Sequence, residues 1–340
     1  MTTVLIDWLG RGGIAQCTEA WARELRAPGH DVVIVTRAGR ELEADDLTTV
    51  GADGCGRLGA HAAIVAAAAR EIRARRPTWV VVQNYVVPAL ERPVYRAARD
   101  VGARVAIVVH DDRLHTWRAG THVGLAGELR RADEVIAHTH HVADRVQARV
   151  GRSVRVIEHP IQVGMLRTPP IEPTLDMGDA FVAAHFGVLR RRYKGTKIVE
   201  ELVGRVPRWS VITLGVGAPA SRPGLVSVPG WVEAGALVGA VANSDAVLLP
   251  YQHATQSGAV VLAQALGAVP VVSAVGGIPE QVTDGVDGIL IPAGAGLDAW
   301  AGALEQLSDD ERRKELIDAG RERVWSAHER FVCAVVELVR

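Results

Sequence analysis

Two loops of the sequence carry the residue types that bind a diphosphate. The first, at 188–195, reads VLRRRYKG and places three arginines and Lys194 directly after an apolar run. The second, at 251–258, reads YQHATQSG and also follows an apolar run. Cationic side chains form charge-assisted hydrogen bonds with phosphate oxygens, and a helix that begins at Ser257 and Gly258 adds backbone N–H groups and its positive dipole end. The pattern therefore predicts a phosphate or pyrophosphate site.

The second loop lies inside a strand–loop–helix–strand pattern over residues 246–291. The apolar runs at 246–250 and 269–273 are typical of strands buried on both faces. Small and aliphatic residues from Gly258 to about Gly267 predict a helix between them. Such a βαβ unit belongs to an open parallel sheet, whose ligands bind at the carboxyl ends of the strands. We therefore expect the loop to lie at a ligand-binding edge.

A glycine-rich turn near the N-terminus indicates an alternative. Residues 3–7 and 32–36 are predicted strands, and GRGGIA at residues 10–15 satisfies the G-x-G-x-x-A dinucleotide fingerprint. An NAD site needs an acidic residue at the end of the second strand, but Thr36 and Arg37 stand there. Arg37 could instead bind a 2′-phosphate, so an NADP-dependent oxidoreductase remains an alternative.

One histidine stands at a predicted strand end. His110 follows the apolar run 104–109 and precedes Asp111 and Asp112, which do not form an Asp-x-Asp metal signature. A histidine at this place either caps a loop or faces a ligand at the sheet edge.

Three further histidines lie close together in the sequence, at His138, His140 and His141. Residues one and two apart on a helix do not face each other, so a shared ion is not expected. We interpret these histidines as surface or loop residues, and the sequence predicts no metal site.

Composition excludes several classes of protein. The 340 residues are 48% hydrophobic and 23% charged with a formal net charge of −1, which predicts a globular chain of two α/β domains and no nucleic-acid partner. The N-terminus lacks a signal-peptide pattern, and no apolar run is long enough to cross a bilayer. We expect a cytoplasmic protein with at most peripheral membrane contact. The three cysteines are far apart and give neither a disulfide framework nor a metal spacing: Cys17, Cys55 and Cys333.

The proline-containing segment 158–179 is the predicted domain boundary. It has four prolines and little periodicity, as linkers do. It separates one βα series over 1–165 from a second over 172–325. Residues 309–325 are predicted to form one helix, and residues 326–340 a separate amphipathic one.

The segment 246–291 resembles the donor-binding region of glycosyltransferase family 4, whose members are retaining, nucleotide-sugar-dependent enzymes with the GT-B fold. AVPVV at 268–272 is similar to the family's Gly-x-Pro-Val-Val strand, and GGIPE at 276–280 to its Gly-Gly-x-x-Glu turn. The family's Glu-x7-Glu pattern is absent, because Thr255 and Ala263 occupy the two positions. The loop ATQSG resembles a sub-branch of the family that has Thr-Gln-Ser-Gly there.

The resemblance implies an α/β protein in which two Rossmann-like, doubly wound domains face each other across a cleft. Residues 1–165 would be the acceptor-side domain, and residues 172–325 the domain that binds the nucleotide-sugar donor. The terminal helix of this fold returns to the first domain, so about residues 326–340 are assigned there.

The resemblance also implies that the basic loop holds the donor pyrophosphate. Lys194 and Gly195 match the family's Lys-Gly element. Arg190 is chosen as the family arginine because it is the first after the strand, and Arg191 and Arg192 remain alternatives.

Other site residues follow from the same resemblance. His110 would face the donor sugar and position it, without acting as a base. Gly12 and Gly13 would let the backbone approach the donor phosphates and the acceptor, or would only form a turn. Trp231, in a turn similar to the family's Gly-x-Val, would stack on the nucleobase or pack under the sheet. The remaining donor-binding residues are expected in the second loop and the turn after it: Thr255, Gln256, Ser257, Gly258 and Glu280.

The absent acids bear on the donor. In the family the first glutamate contacts sugar hydroxyls and the second the ribose hydroxyls. Thr255 and Gln256 can still bond a sugar, but Ala263 cannot bond a ribose. Glu280 and Gln264 are candidates to compensate.

The function that the resemblance implies is metal-independent transfer of a hexose, with retention, from a UDP- or GDP-sugar to a hydroxyl of a small molecule or glycan. The leaving phosphate would help to deprotonate the acceptor, and no cofactor is expected beyond the nucleotide sugar as co-substrate. Two alternatives of the same architecture remain: a nucleotide-sugar epimerase and a catalytically silent nucleotide-sugar-binding homologue. The sequence does not indicate the oligomeric state.

Overall fold

The computed structural model describes residues 1–37, 47–50, 57–111, 124–171 and 180–340, with only the backbone at 47–50 and at Arg57. Asp112 and Cys55 lie outside the described residues. The chain divides into two compact units. The first comprises Met1–Pro160 and His328–Arg340, and the second comprises Ile161–Ala327.

The described part of the first unit contains a seven-stranded sheet with the order β3-β2-β1-β4-β5-β6-β7, in which every pair is parallel. Its strands are β1 (Thr2–Asp7), β2 (Asp31–Arg37), β3 (Leu47–Val50), β4 (Trp79–Val82), β5 (Arg104–Val109), β6 (Glu134–Ala137) and β7 (Arg155–Val156). Its helices are α1 (Gly12–Arg26), α2 (Arg57–Arg75), α3 (Pro88–Asp100), α4 (Leu125–Arg131) and α5 (His140–Val150).

The described part of the second unit contains a six-stranded parallel sheet with the order β10-β9-β8-β11-β12-β13. Its strands are β8 (Phe181–Phe186), β9 (Trp209–Gly215), β10 (Leu225–Pro229), β11 (Ala246–Leu249), β12 (Val269–Ser273) and β13 (Ile289–Ile291). Its helices are α6 (Val163–Arg167), α7 (Thr196–Leu202), α8 (Ala234–Ala242), α9 (Gly258–Leu266), α10 (Ile278–Gln281), α11 (Leu297–Gln306) and the start of α12 (Asp310–Val339). A 3₁₀ turn occupies Arg192–Lys194.

Both sheets are covered on both faces, as the continuous apolar runs predict. Val4 and Ile6 of β1 pack in one apolar cluster, whereas Leu5 between them packs in another. In β11, Val247 and Leu248 separate in the same way. The α/β, doubly wound architecture is therefore confirmed for each unit. Because all strands of a sheet are parallel, their carboxyl ends share one edge, where the candidate site residues lie.

The C-terminal region differs from the prediction of two helices. Residues from Asp310 to Val339 form one continuous helix, α12. Neither glycine nor proline occurs near residues 325–326, and Val324, Phe331 and Val335 are all buried. The predicted break was wrong because nothing at that place ends a helix.

Among the described residues, no helix is both long enough and apolar enough to cross a membrane.

Candidate functional site

In the second unit, the two predicted phosphate loops meet through a tyrosine. Nζ of Lys194 lies 3.4 Å from the hydroxyl of Tyr251, and that hydroxyl lies 3.1 Å from Oγ of Ser257. The ammonium group also lies 4.7 Å from the centre of the Tyr251 ring, at cation–π distance. The arrangement places a cation, two hydroxyls and the start of α9 together at the carboxyl edge of the sheet.

Lys194 keeps its charge in this place. Burial lowers the pKa of its ammonium group, but the oxygens of Tyr251 and Tyr193 outweigh burial and leave the pKa above its ordinary value. An ammonium that stays protonated at neutral pH suits a ligand that carries negative charge.

Glycine is required beside this lysine for reasons of space. Gly195 has φ +68°, and a β-carbon there would lie 1.9 Å from the carbonyl oxygen of Pro250, the residue after β11. At Gly187 a β-carbon would touch Nζ of Lys194 at 3.4 Å. The two strand ends approach so closely that the basic loop fits only with glycine at residue 195.

The backbone of Arg190 is tied to the end of a neighbouring strand. Its N–H donates to the carbonyl of Val216 at 3.0 Å, and a β-carbon on Gly217 would lie 2.5 Å from its nitrogen. This contact holds the start of the basic loop against the end of β9. The side chains of Arg190, Arg191 and Arg192 are exposed, so all three extend into solvent.

The start of α9 differs from the predicted arrangement in one respect. The N–H of Ser257 donates to Oε1 of Gln281 at 2.7 Å, and Nε2 of Gln281 donates back to the Ser257 carbonyl at 3.3 Å. That N–H was predicted to bind phosphate, which is wrong here because the Gln281 amide already occupies it. The hydroxyl of Ser257 caps no helix N–H and is directed to Tyr251.

The loop before α9 and the turn after β10 offer further polar and aromatic groups. Oε1 of Gln256 is buried and has no hydrogen-bond partner among the described residues. Trp231, two residues after β10, is 57% exposed, so the alternative that it packs under the sheet is wrong. Glu280 lies in the short helix α10 and is exposed, and Thr255 and Gly258 are half-buried at the mouth of α9.

The position of the second family acid lies in the core. Ala263 is fully buried in α9 among apolar side chains. Gln264 is not available to replace it, because its amide nitrogen donates to the Asp287 carbonyl at 3.2 Å. The buried amide ties α9 to the chain after α10, which is a structural role.

Sequence reasoning missed His185, which stabilises this edge from inside β8. Its Nδ1 donates to the carbonyl of Leu248 at 2.8 Å, and its Nε2 lies 3.1 Å from Oγ1 of Thr196. Burial lowers the pKa of His185 to about 4, opposed by the bond to Leu248 and assisted by the charge of Lys194. The neutral ring links β8, β11 and the start of α7.

In the first unit, a buried aspartate shapes the glycine-rich turn. Oδ1 of Asp7 accepts the N–H groups of Leu9 at 2.9 Å and Gly10 at 3.0 Å. Helix α1 starts at Gly12, whose φ is +64°, and a β-carbon at Gly12 or Gly13 would meet nothing within 4 Å. The turn therefore leaves open space beside its backbone, as an approaching ligand requires.

His110 lies in a cluster with His138, His159 and Cys17 that was not predicted from the sequence. Its ring centre is 4.8 Å from that of His138, which is 5.2 Å from that of His159. Nε2 of His138 lies 3.7 Å from Sγ of Cys17. His138 is only 4% exposed, so it is not a surface residue, but it does lie in the loop between β6 and α5, as the other half of its interpretation predicted; His140 is exposed.

Burial keeps these histidines neutral. It lowers the pKa of His110 to about 3, assisted by His159, and that of His159 to about 4. Burial, and then His110 and His159, hold the pKa of His138 well below its usual range. Burial likewise raises the pKa of the Cys17 thiol. The sequence signal for the group was a histidine immediately after, or within a few residues of, three successive strands.

Two family models match successive parts of the chain. Residues 11–164 match the model described as Glycosyltransferase Family 4, and residues 180–310 match the one described as Glycosyl transferases group 1. The matches do not overlap, and each falls almost entirely within one compact unit.

Curated and solved proteins extend this likeness. A D-inositol 3-phosphate glycosyltransferase of Corynebacterium aurimucosum is 35% identical over 96 residues, which span 27% of this chain and only 23% of that protein. HepE of Anabaena, solved with UDP and glucose, has a TM-score of 0.75 at 17% identity, covering 100% of this chain and 98% of that chain. Sucrose-phosphate synthase of Thermosynechococcus elongatus has a TM-score of 0.78 at 16% identity, covering 99% and 98%. At these identities the solved structures establish the fold alone.

Proposed function

Because the chain is a GT-B protein of the glycosyltransferase family 4 type, we propose that it transfers a hexose from a UDP- or GDP-sugar to a hydroxyl of a small molecule or glycan. The proposal includes retention of the anomeric configuration and a transfer step that needs no metal ion.

The group formed by Lys194, Tyr251 and Ser257 carries this proposal. A diphosphate at the carboxyl edge of the second sheet would meet an ammonium, the hydroxyl of Ser257 and the positive end of the α9 dipole. Arg190, anchored at the end of β9, would add a guanidinium that can bond two phosphate oxygens at once.

These cations suit the chemistry of a leaving diphosphate. Cleavage of the bond from the sugar to the β-phosphate places negative charge on the phosphate oxygens. Fixed cations bind that charge more tightly in the transition state than in the ground state, and the loss of one such group costs about a hundredfold in rate. They offer this stabilisation without a metal ion, which supports metal-independent transfer.

His110 is proposed to position the donor sugar. With a pKa lowered to about 3, its ring is neutral at physiological pH and is a poor proton acceptor. It is therefore suited to hydrogen bonding with a sugar hydroxyl rather than to general base catalysis. The acceptor proton would pass instead to the leaving phosphate, in keeping with retention.

Other donor contacts are proposed from the same edge. Trp231 is exposed, which suits stacking on the nucleobase. Gln256 has a buried acceptor oxygen that a sugar hydroxyl would satisfy, and Thr255 adds a hydroxyl beside it. Glu280, in α10, completes the contacts proposed at this edge. HepE, which was solved with UDP and glucose, supports UDP as the first nucleotide to test.

One observation favours a second candidate, a homologue that binds nucleotide sugars without transferring them. Ala263 replaces the expected second acid and is buried in the core, and Gln264 beside it is occupied by a backbone carbonyl. The ribose contact that the family acid provides therefore has no replacement on α9.

A binding experiment tests the phosphate site. Melting temperature is measured with UDP-, GDP-, ADP- and dTDP-linked sugars, since a ligand that binds only the folded protein raises it. We expect Lys194→Ala to abolish the largest shift. The matched control is Lys197→Ala, three residues further along at the start of α7, where the side chain is 87% exposed and pairs with Glu201. An unchanged shift in Lys194→Ala contradicts the proposed site.

A product assay separates the candidate functions. The donor that gives the best shift is incubated with and without pools of acceptors, and products are analysed by mass spectrometry and NMR. Transfer yields a glycoside of the same anomeric configuration as the donor. A changed sugar without any acceptor indicates an epimerase, and binding without product indicates the silent homologue.

A further inference from the structure

Three neighbouring strands of the first unit lead into histidines that converge with a cysteine. His110 follows β5, His138 follows β6 and His159 comes after β7, and these strands are adjacent in the sheet. Cys17, on α1, is fully buried beside them. We propose that Cys17, His110 and His138 form a binding site for a borderline-soft divalent cation, represented by Zn²⁺.

The distances between the donor atoms suit one shared ion. Sγ of Cys17 lies 3.7 Å from Nε2 of His138. A tetrahedral zinc ion, with bonds of about 2.3 Å to sulfur and about 2.0 Å to nitrogen, holds two such atoms about 3.5 Å apart. One donor atom from each of the three residues lies within 4.8 Å of the others. A shift of the His110 ring by at most about 1.5 Å therefore completes the site.

Both histidines are held as metal-binding histidines usually are. Nδ1 of His138 lies 2.8 Å from the carbonyl of Ile157, so that nitrogen carries the proton and Nε2 presents its lone pair toward Cys17. His110 bonds to the backbone of Gln83. Hydrogen bonds from ligating histidines to backbone carbonyls fix the tautomer and the ring orientation in metal sites.

A buried amide next to His110 supports an ordered ligand here. Gln83 is completely buried, and neither its side-chain oxygen nor its side-chain nitrogen has a hydrogen-bond partner among the described residues. Buried polar groups are rarely left without partners. A tetrahedral ion with three protein ligands keeps a fourth position for water, and such a water would give the amide of Gln83 a partner.

The donor set selects the class of ion. Thiolate and imidazole ligands favour zinc and its neighbours in the first transition series, whereas magnesium and calcium prefer oxygen ligands. Binding converts the Cys17 thiol to a thiolate and releases one proton to solvent, while the neutral imidazoles release none. Because binding releases this proton, affinity rises with pH.

A metal ion at this site would inhibit sugar transfer, an inference that rests on the proposed function. His110 cannot position a donor sugar through a ring nitrogen that is bonded to a metal ion. Zinc would therefore inhibit transfer, and a chelator would restore it. Metal binding itself does not depend on that function.

Cobalt(II) is the probe, because it substitutes for zinc and reports its ligands by absorption. Titration of the full-length protein with Co²⁺ is expected to give the intense visible bands of a tetrahedral site and a near-ultraviolet thiolate-to-cobalt band. Added Zn²⁺ should remove both. Cys17→Ser should lose the thiolate band, and His138→Gln should bind Co²⁺ at least about tenfold more weakly.

Matched variants separate the site from other thiols and histidines. Cys333→Ser, Cys55→Ser and His140→Gln should keep the spectrum and affinity of the wild type. Circular dichroism and melting without metal establish that Cys17→Ser and His138→Gln fold. Absence of the thiolate-to-cobalt band in the wild type, or its persistence in folded Cys17→Ser, overturns the proposal. Cys17, His110 and His138 would then be only a hydrogen-bonded part of the core.

An activity measurement then tests the consequence separately. If transfer is found, Zn²⁺ should inhibit the wild type and not Cys17→Ser, and the cobalt spectrum should report binding in the wild type alone. If no transfer is found, the cobalt titration still decides whether the site exists. Failure of the metal site and failure of the proposed function are thus distinguishable.

Discussion

The carboxyl edges of the two sheets carry opposite kinds of chemistry, although both arise from parallel strands in doubly wound units. The edge of the second unit presents Lys194 with its charge maintained by Tyr251. The edge of the first unit presents imidazoles that burial keeps neutral, beside a buried thiol. One edge is suited to anions, and the other to a sugar or to a soft cation.

The difference shows that the fold provides the location and the loops provide the chemistry. Both edges use a glycine with positive φ to start a helix region, at Gly12 and at Gly195. The first glycine stands in open space, and the second is pressed against a backbone carbonyl. Gly12 therefore supplies only a left-handed backbone conformation, whereas Gly195 also leaves room for the carbonyl of Pro250. Substitution of each glycine can measure this difference.

The largest effect is expected for Gly195→Ala, compared with Gly12→Ala. At Gly12 an added methyl meets nothing, so only the left-handed backbone costs stability, about 1 kcal/mol. At Gly195 the methyl would also overlap the carbonyl oxygen of Pro250, 1.9 Å away, so we expect a loss of about 3 kcal/mol or more and loss of donor binding.

Calorimetric unfolding of the two variants and the wild type measures this difference. Equal destabilisation by both substitutions would show that the close contact at Gly195 relaxes freely. Both glycines would then be required for the same reason, which is their left-handed backbone conformation.

Much of this comparison could be predicted from sequence. Apolar runs gave the strands β11 and β12, the Lys194-Gly195 element located the basic loop, and the glycine-rich turn located the start of α1. These features are local, because hydrophobic periodicity and turn chemistry act over a few residues.

The remaining features depend on contacts between residues far apart in the chain. Cys17 and His138 are separated by 121 residues, and only the order of strands brings them together. The amide of Gln281 reaches the N–H of Ser257 across 24 residues. Reasoning from neighbours on one helix could not reveal the partners that other strands and α1 bring to His138.

A smaller effect is expected from acid, through His185, which is buried in the described part of the second unit. The folded-state pKa of His185 is about 4, below its ordinary value of 6.5. Between these values the unfolded chain binds more protons, so the stability that this histidine contributes is present above pH 6.5 and is lost as pH falls toward 4. At pH 5 the loss amounts to about 2 kcal/mol.

Melting curves between pH 7 and pH 4 measure this loss. His185→Gln should be less stable at pH 7 and should depend less on pH across that window. His253→Gln, at an exposed position of the same unit, is the control for the substitution itself. If His185→Gln retained the wild-type slope, the acid sensitivity would belong to other groups, such as the histidines of the first unit.

The smallest effect is expected for Tyr251→Phe, which probes how the second edge keeps its charge. The substitution removes the hydroxyl between Lys194 and Ser257 and leaves the aromatic ring, 4.7 Å from the ammonium. A hydrogen bond of this kind contributes about 1 kcal/mol, so donor affinity should fall about fivefold. Tyr251 is the largest of the influences that raise the pKa of Lys194. Without its hydroxyl, the lowering of that pKa by burial is compensated less. The alkaline limit of donor binding should therefore move to lower pH in Tyr251→Phe, whereas Tyr251→Leu, which also removes the ring, should lose more affinity. Calorimetric titration of the donor across pH measures both. An unmoved alkaline limit would mean that the charge of Lys194 does not depend on Tyr251, and the contrast between the two edges would rest on burial alone.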